Sequence, residues 1–292
     1  MPTTTSRSPK APRSAARAGA LLREWRAARR LSQLALALEA GVSARHLSCV
    51  ETGKARPSRE MVARLADTLG MPLRERNALL VAAGYAPEYT ETRLDAPELA
   101  QVRRAIDLIV EHQEPYPAFV LNRRWDILRT NRAAMRVCGF FGTASRHDNM
   151  LRQFFDPDDV RAVVANWEEV AADLVRHLQE EIAAVPSDAG ARALLDEVLR
   201  YPGVPSRWRT RELGAAPPHV LTVVFRKGGR ELSFFSTITS FGTPRDVTLD
   251  ELRIECTFPA DDATAELCRA LAREEHGRGA EAASMADGPR DP

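Results

Sequence analysis

Leu31-Ser-Gln-Leu-Ala-Leu-Ala-Leu-Glu-Ala-Gly-Val-Ser-Ala-Arg-His-Leu-Ser-Cys-Val-Glu51, followed by Thr52-Gly-Lys-Ala-Arg-Pro-Ser58, decides the fold of the N-terminal part of this chain. Ser32 is placed to cap a first helix, its hydroxyl accepting from an orphan backbone N–H one turn on. Leu31 and Leu36 flank that cap at the spacing of a hydrophobic staple. Gly41 ends the helix, since only glycine enters the left-handed conformation without a Cβ clash. Ser43 then caps a second helix, with Val42 and Leu47 as its staple. Two capped helices this close, joined through Ala40-Gly41-Val42, predict a helix-turn-helix.

The second helix has two faces. Leu47 and Val50 turn inward, and Arg45, His46 and Cys49 fall on the other side, because residues three and four apart share a helical face. In a helix-turn-helix that outer face enters the DNA major groove. Arg45 can donate two hydrogen bonds to a guanine edge. A solvated helix in an ordinary bundle would explain a surface arginine equally well, but not the agreement of caps, staples, glycine and spacing.

These residues resemble the Cro/repressor-type (XRE) helix-turn-helix family from about Leu21 to Ala83, through Leu31-Ser32-Gln33, Ala40-Gly41-Val42-Ser43 and Glu51-Thr52-Gly53-Lys54. The resemblance implies a five-helix, all-α DNA-binding domain. In it Gln33 and the helix containing Ser43, Ala44, Arg45, His46 and Cys49 touch double-stranded DNA, while Lys54 and Arg56 meet phosphates. The chain departs from the family at Leu34 and Leu38, which point outward where the family has polar residues.

With 292 residues the chain is long enough for two cores. A hydrophobic share of 44% beside 28% charged residues is that of a soluble globular protein. The net charge of +1 hides an asymmetry: residues 1–90 carry a net +8 and the remainder −7. A basic module before an acidic remainder suits a DNA-binding domain attached to a second domain that does not bind nucleic acid. The four cysteines, Cys49, Cys138, Cys256 and Cys268, show no metal-ligand spacing, and reduced thiols are expected. No apolar run reaches the length of a membrane span and no signal-peptide core follows the N-terminus, so the expected location is the cytoplasm, away from membranes.

The division expected is a disordered basic arm over 1–17, the helix-turn-helix domain over 18–84, a linker over 85–96, a ligand-binding and dimerisation domain over 97–272 and a disordered tail over 273–292. Within the second domain, Pro97 to His112 has helical spacing. Ala118–Asn122 and Trp125–Arg129 read as a hairpin, and a helix starts at Asn131. One long helix is expected from Asp156-Pro157 toward Ile182, and another over Asp188–Tyr201. Val220–Phe225 and Glu231–Thr239 form a second hairpin around Lys227-Gly228-Gly229-Arg230, and Thr248–Phe258 adds a strand. A short helix is expected from Ala263 to Glu275. This predicts a multidomain protein, all-α and then α+β, with helices on one face of an antiparallel sheet.

Asn122-Arg-Arg-Trp-Asp-Ile-Leu-Arg-Thr-Asn-Arg-Ala-Ala134 resembles the opening of a PAS-type sensor domain. With His112-Gln-Glu-Pro-Tyr-Pro117, Asn166-Trp167 and Phe235-Ser-Thr-Ile-Thr-Ser-Phe-Gly242, the chain resembles the MmyB-like transcription regulators from about Leu21 to Leu271. That resemblance implies a PAS-like C-terminal domain that takes a small apolar, fatty-acid-like ligand. From the residues themselves, the inward side chains of the second hairpin (Val223, Phe225, Phe234 and Ser236) facing Trp167, Val170 and Leu174 of the long helix are the candidates to line a pocket. An arginine or hydroxyl at its mouth would hold a carboxylate. The other reading is that the second domain only pairs with a protein, as in antitoxin-like repressors, and then its side chains fill one another's space. No histidine pair, phosphate loop or nucleophile elbow is present, so no metal, no cofactor and no enzyme activity are expected. A homodimer is expected, because one recognition helix covers few bases.

Overall fold

The computed structural model describes residues 13–143, 145–210 and 219–286. They form two compact units, and neither is a continuous piece of chain.

The first unit holds residues up to Thr92 together with 180–189 and 243–250. Its helices are α1 (Arg13–Ala28), α2 (Gln33–Glu39), α3 (Ala44–Glu51), α4 (Arg59–Thr68) and α5 (Leu73–Ala82). Ser32, Ser43 and Ser58 each accept a hydrogen bond from the backbone N–H three residues on, at 3.0, 3.4 and 3.2 Å. Gly41 has φ +62° and lets the Val42 N–H turn back to the Ala37 carbonyl. Leu22, Trp25, Leu36, Leu47, Val50, Leu65 and Leu79 are fully buried together. Gly19 permits the close crossing of α1 over the end of α3; a Cβ there would lie 2.7 Å from the Glu51 carbonyl oxygen.

Three expected boundaries move. Helix α1 starts at Arg13, inside the stretch expected to be a disordered arm. Ala15 and Ala18 are buried, so small side chains seat the first turns without an apolar stripe; residues 1–12 lie outside the described ones. The expected linker is tied down: Asp246 accepts from the Thr90 hydroxyl at 2.7 Å and the Thr92 N–H at 3.0 Å. And the second domain is not continuous over 97–272, because 180–189 and 243–250 belong to this unit. Val185 packs on its core, the Ala184 carbonyl accepts from Arg29, and Asp250 accepts from the Leu73 N–H, filling the cap that Pro72 cannot provide.

The second unit contains α6 (Ala100–His112), α7 (Arg132–Phe141), α8 (Met150–Phe155), α9 (Trp167–Ala184, whose last turn is in the first unit) and α10 (Ala189–Val198). After the Val247–Asp250 helix of the first unit (α11) comes α12 (Asp262–Ala286). Strands β1 (Ala118–Leu121), β2 (Ile127–Thr130), β3 (Thr222–Lys227), β4 (Arg230–Thr239) and β5 (Arg253–Pro259) form one antiparallel sheet in the order β2-β1-β5-β4-β3. Ala118, Val120, Ile254 and Cys256 face Ile106 and Val110 of α6. The opposite face meets α7 and the Val160–Val163 turn.

The helix expected from Asp156 to Ile182 is broken. Asp159 caps a single 3-10 turn, Val164 is extended and bridges Phe225, and the Ala165 N–H donates to the Val224 carbonyl. Asn166 holds the β3 backbone from both sides, donating to the Thr222 carbonyl at 2.7 Å and accepting from the Val224 N–H at 3.0 Å. Backbone groups needed for a helix are thus paired with β3, and α9 starts only at Trp167. The strand expected over Thr248–Phe258 likewise splits into α11 and β5. At the end of the chain, α12 continues to Ala286 in place of the expected tail, since an alanine-rich, charged sequence has high helix propensity; residues 287–292 lie outside the described ones.

Candidate nucleic-acid interface and ligand cavity

Within the first unit, α3 presents Arg45 and His46 to solvent, with Cys49 half-buried beside them, while Leu47 and Val50 are in the core. Ser43 is exposed at the cap and Ala44 packs partly on the core. Lys54 is exposed just beyond the helix end. Leu34 and Leu38 point outward as expected, 59% and 73% exposed.

Two candidates have structural duties. The Gln33 amide donates at 2.7 Å to Glu51, whose carboxylate is fully enclosed and accepts from Arg26 Nε at 2.7 Å and Nη2 at 2.9 Å. That hydrogen-bonded pairing raises the Arg26 pKa. Gln33 thus spends one amide N–H on Glu51 and keeps its second N–H and its carbonyl for other partners. Arg56 donates to the Ala83 and Gly84 carbonyls, both at 2.7 Å, and lies 4.4 Å from the Tyr85 ring centre. It completes the C-terminus of α5, a role cations fill well because the last carbonyls carry partial negative charge. The family pattern gave no sign of it.

Within the second unit a cavity of about 730 Å³, its mouth included, lies between the sheet and the α7–α8 side. Of the hairpin candidates, Val223, Phe225, Phe234 and Ser236 line it. Trp167, Val170 and Leu174 do not; they pack in a cluster with Val160, Val164, Val223 and Phe225 behind the wall. The indole N–H of Trp167 donates to the Phe154 carbonyl at 2.6 Å and Arg161 stacks 3.5 Å from its ring centre, so this side chain is fixed away from the space.

The remaining wall comes from elements the sequence reading left out. Val137, Cys138 and Phe141 of α7, Gln153 and Phe154 of α8, and Phe119, Glu255 and Thr257 of the sheet complete it. The Val137–Phe141 spacing was a readable signal for an inward helical stripe. Glu255 and Thr257 were not readable as inward, because alternation assigned the apolar residues of β5 to the core and these two to solvent. Helices cover both faces of this sheet, so both sets are enclosed. Glu255 pairs in register with Phe119, and Ser236 with Thr257. Burial pushes the Glu255 carboxyl above the usual carboxylate range, with a hydrogen bond from Ser236 and the nearby His177 opposing that rise. Of the arginine or hydroxyl expected at the cavity, the described residues supply hydroxyls, those of Thr143, Ser236 and Thr257, and no arginine.

Among the described residues there is no group of three or more His, Cys, Asp or Glu side chains placed to hold a metal ion, and no helix is long and apolar enough to cross a membrane.

A family model described as "MmyB-like transcription regulator ligand binding domain" matches residues 102–271, and one described as "Helix-turn-helix domain" matches residues 17–79. No curated protein matches the chain. Among solved structures, one titled "Structure of an RNA-binding Light-Oxygen-Voltage Receptor" is similar at 12% identity with a TM-score of 0.22. The alignment covers 91% of this chain and 64% of the length of that one.

Proposed function

As the chain belongs to the family of MmyB-like transcription regulator ligand binding domains and carries a helix-turn-helix domain ahead of that match, we propose that it is a sequence-specific transcription regulator in the cytoplasm whose C-terminal domain senses a small apolar ligand with a fatty-acid-like alkyl chain. The observation that carries this reading is the cavity. A domain serving only to pair with a protein has no use for a cavity of about 730 Å³, its mouth included, lined mainly by Phe119, Phe141, Val223, Phe225 and Phe234. Ligand sites are apolar in this way, with few polar groups. Each buried methylene of an alkyl chain contributes about 0.8 kcal/mol there. A ligand acts as a switch only if it binds the DNA-competent and incompetent states unequally. Titration of alkyl ligands into the full chain with and without operator DNA tests this, and equal affinities would reject the sensor.

On the DNA side, Arg45, His46 and Cys49 face base edges, Ser43, Ala44 and the Gln33 side chain flank them, and Lys54 and Arg56 meet phosphate. Arg45→Ala is expected to cost about 1–3 kcal/mol on the cognate site and to relax specificity there. Lys54→Ala weakens all sequences alike and lowers the salt slope by about one unit. Arg56→Ala is expected to lower the stability of α5 in addition to weakening binding through phosphate. Binding measured across a panel of operators at several salt concentrations separates these outcomes; uniform scaling by both Arg45→Ala and Lys54→Ala would refute the groove assignment.

The functional form is a homodimer reading two half-sites roughly 34 Å apart. Sedimentation at micromolar concentration is expected to show the dimer, and a monomer with a single half-site footprint would exclude it.

A further inference from the structure

The polar side chains on the sheet wall of the cavity stand together. Ser236 on β4 pairs in register with Thr257 on β5, and Glu255 lies two residues before Thr257 on the same face, opposite Phe119. Ser236 is exposed, so this corner opens to solvent, while Phe119, Phe141, Phe225 and Phe234 line the apolar remainder. The single O–H of Thr257 is committed to the Pro117 carbonyl at 2.7 Å. Glu255 brings a carboxyl group to the lining, and apolar surroundings favour its neutral form, which carries an O–H donor. Two cationic side chains stand near it. His177 on α9 is one, and its field reaches Glu255. The other is Arg253, two residues earlier on the same face of β5 and 5.8 Å from the Trp125 ring centre. Cys138 on α7 is a further titratable group of the lining.

We propose that Glu255 selects the head group of the ligand: as a protonated carboxyl it donates a hydrogen bond to the carboxylate of a fatty-acid-like molecule, and the pair holds one proton between two carboxyl groups. The proposal rests on the reading of this cavity as a ligand site, and it adds the residue that recognises the head. Two carboxyl groups sharing a site cannot both ionise, so the charge brought by the ligand keeps a proton on the pair. A hydrogen bond to an ionised acceptor is short and roughly twice as strong as one between neutral groups. The single negative charge of the pair lies at the corner open to solvent, near His177 and Arg253. Burial raises the pKa of Glu255 in the protein alone, so its proton is held to higher pH than an exposed glutamate would hold it. An alcohol head gains less from this arrangement. Its oxygen is a neutral acceptor, and its own O–H lets it bond the ionised form of Glu255 equally well.

Decanoate and decanol share one alkyl chain, and decanoate in water is ionised throughout the range from about pH 6 to 9. Calorimetric titration of each into the full-length protein across that range is the test. Wild-type affinity for decanoate is expected to fall by about tenfold or more with rising pH, as Glu255 gives up its proton and two carboxylates come to face each other. Affinity for decanol is expected to change by less than about threefold, since a hydroxyl both donates and accepts. Glu255→Gln donates through its amide at every pH. It is expected to bind decanoate with little dependence on pH, and more tightly than wild type at about pH 9. His177→Asn is expected to keep the wild-type slope. A decanoate affinity that does not fall with pH in the wild type, or a fall that survives Glu255→Gln, would overturn the head-group assignment. Binding of decanol without decanoate would overturn it as well and leave the apolar-ligand reading standing. If neither ligand binds the wild type, both readings fall. If Glu255→Gln binds neither ligand, His177→Asn decides: a retained slope supports Glu255 and a lost one overturns it.

Discussion

Arg26→Met is expected to destabilise the first unit by about 3–5 kcal/mol, the range found when one partner of a buried ion pair is removed. The reason lies in what is left behind. Glu51 closes α3 with a fully enclosed carboxylate, and Arg26 grips both its oxygens. Without Arg26 the carboxylate keeps only the Gln33 amide. The third guanidinium contact, to the Leu31 carbonyl at 2.9 Å, goes as well, loosening the entry to α2. Urea denaturation followed by circular dichroism measures the loss. The double variant Arg26→Met with Glu51→Leu should recover much of it, because an apolar pair of similar volume needs no solvation. A single-variant loss below about 1 kcal/mol would mean that water reaches Glu51 and that the pair behaves as an exposed one.

Asn131→Ala should be the most damaging single change in the sheet domain among its capping residues. One buried side chain serves three places. Its Oδ1 accepts from the Ala134 N–H that opens α7 and from the Ala118 N–H that opens β1, both at 3.0 Å, and its Nδ2 donates to the Tyr116 carbonyl at 2.8 Å. Loss of the cap costs about 1 kcal/mol and each buried group left unpaired about 1–3 more, so a total near 3 kcal/mol is expected. Asn131→Asp keeps the acceptor and loses the donor, and should fall between alanine and wild type. Hydrogen exchange at Ala118 and Ala134 reads the same effect locally; unchanged protection in the alanine variant would show that other groups take over.

Asn131 was also legible in advance, as the start of a helix, and so were the three serine caps of the first unit. These signals are local: a hydroxyl or amide bonds a backbone N–H three residues away, so the sequence holds both partners. The outer and inner faces of α3 were legible for the same reason, because helical spacing alone separates the exposed Arg45 and His46 from the buried Leu47 and Val50. What was not legible depends on distant partners. The break before Trp167 comes from β3, some sixty residues on, competing for backbone hydrogen bonds. The bonds of Arg56 to the Ala83 and Gly84 carbonyls depend on α5, nearly thirty residues away, and its neighbours in the sequence do not announce them. Alternation in β5 reports correctly that two faces differ, but it cannot tell an inward polar face from a solvated one. Glu255 was hidden by that ambiguity, and with it the chemical character of the cavity.

The two units interleave along the chain, which passes between them after Thr92, Gln179, Ala189, Gly242 and Asp250. Strands β4 and β5, which carry Ser236 and Glu255 into the cavity, are joined through the segment that lends Asp246 and Asp250 to the helical unit. Two compact units are therefore not two heritable modules. A recombination event exchanging everything beyond Thr92 would import a new sensor and, in the same stroke, foreign replacements for two carboxylates that hold the DNA-reading unit together. Sensor and reader in this architecture must diversify by point substitution on both sides of each crossing, because no single cut separates one from the other.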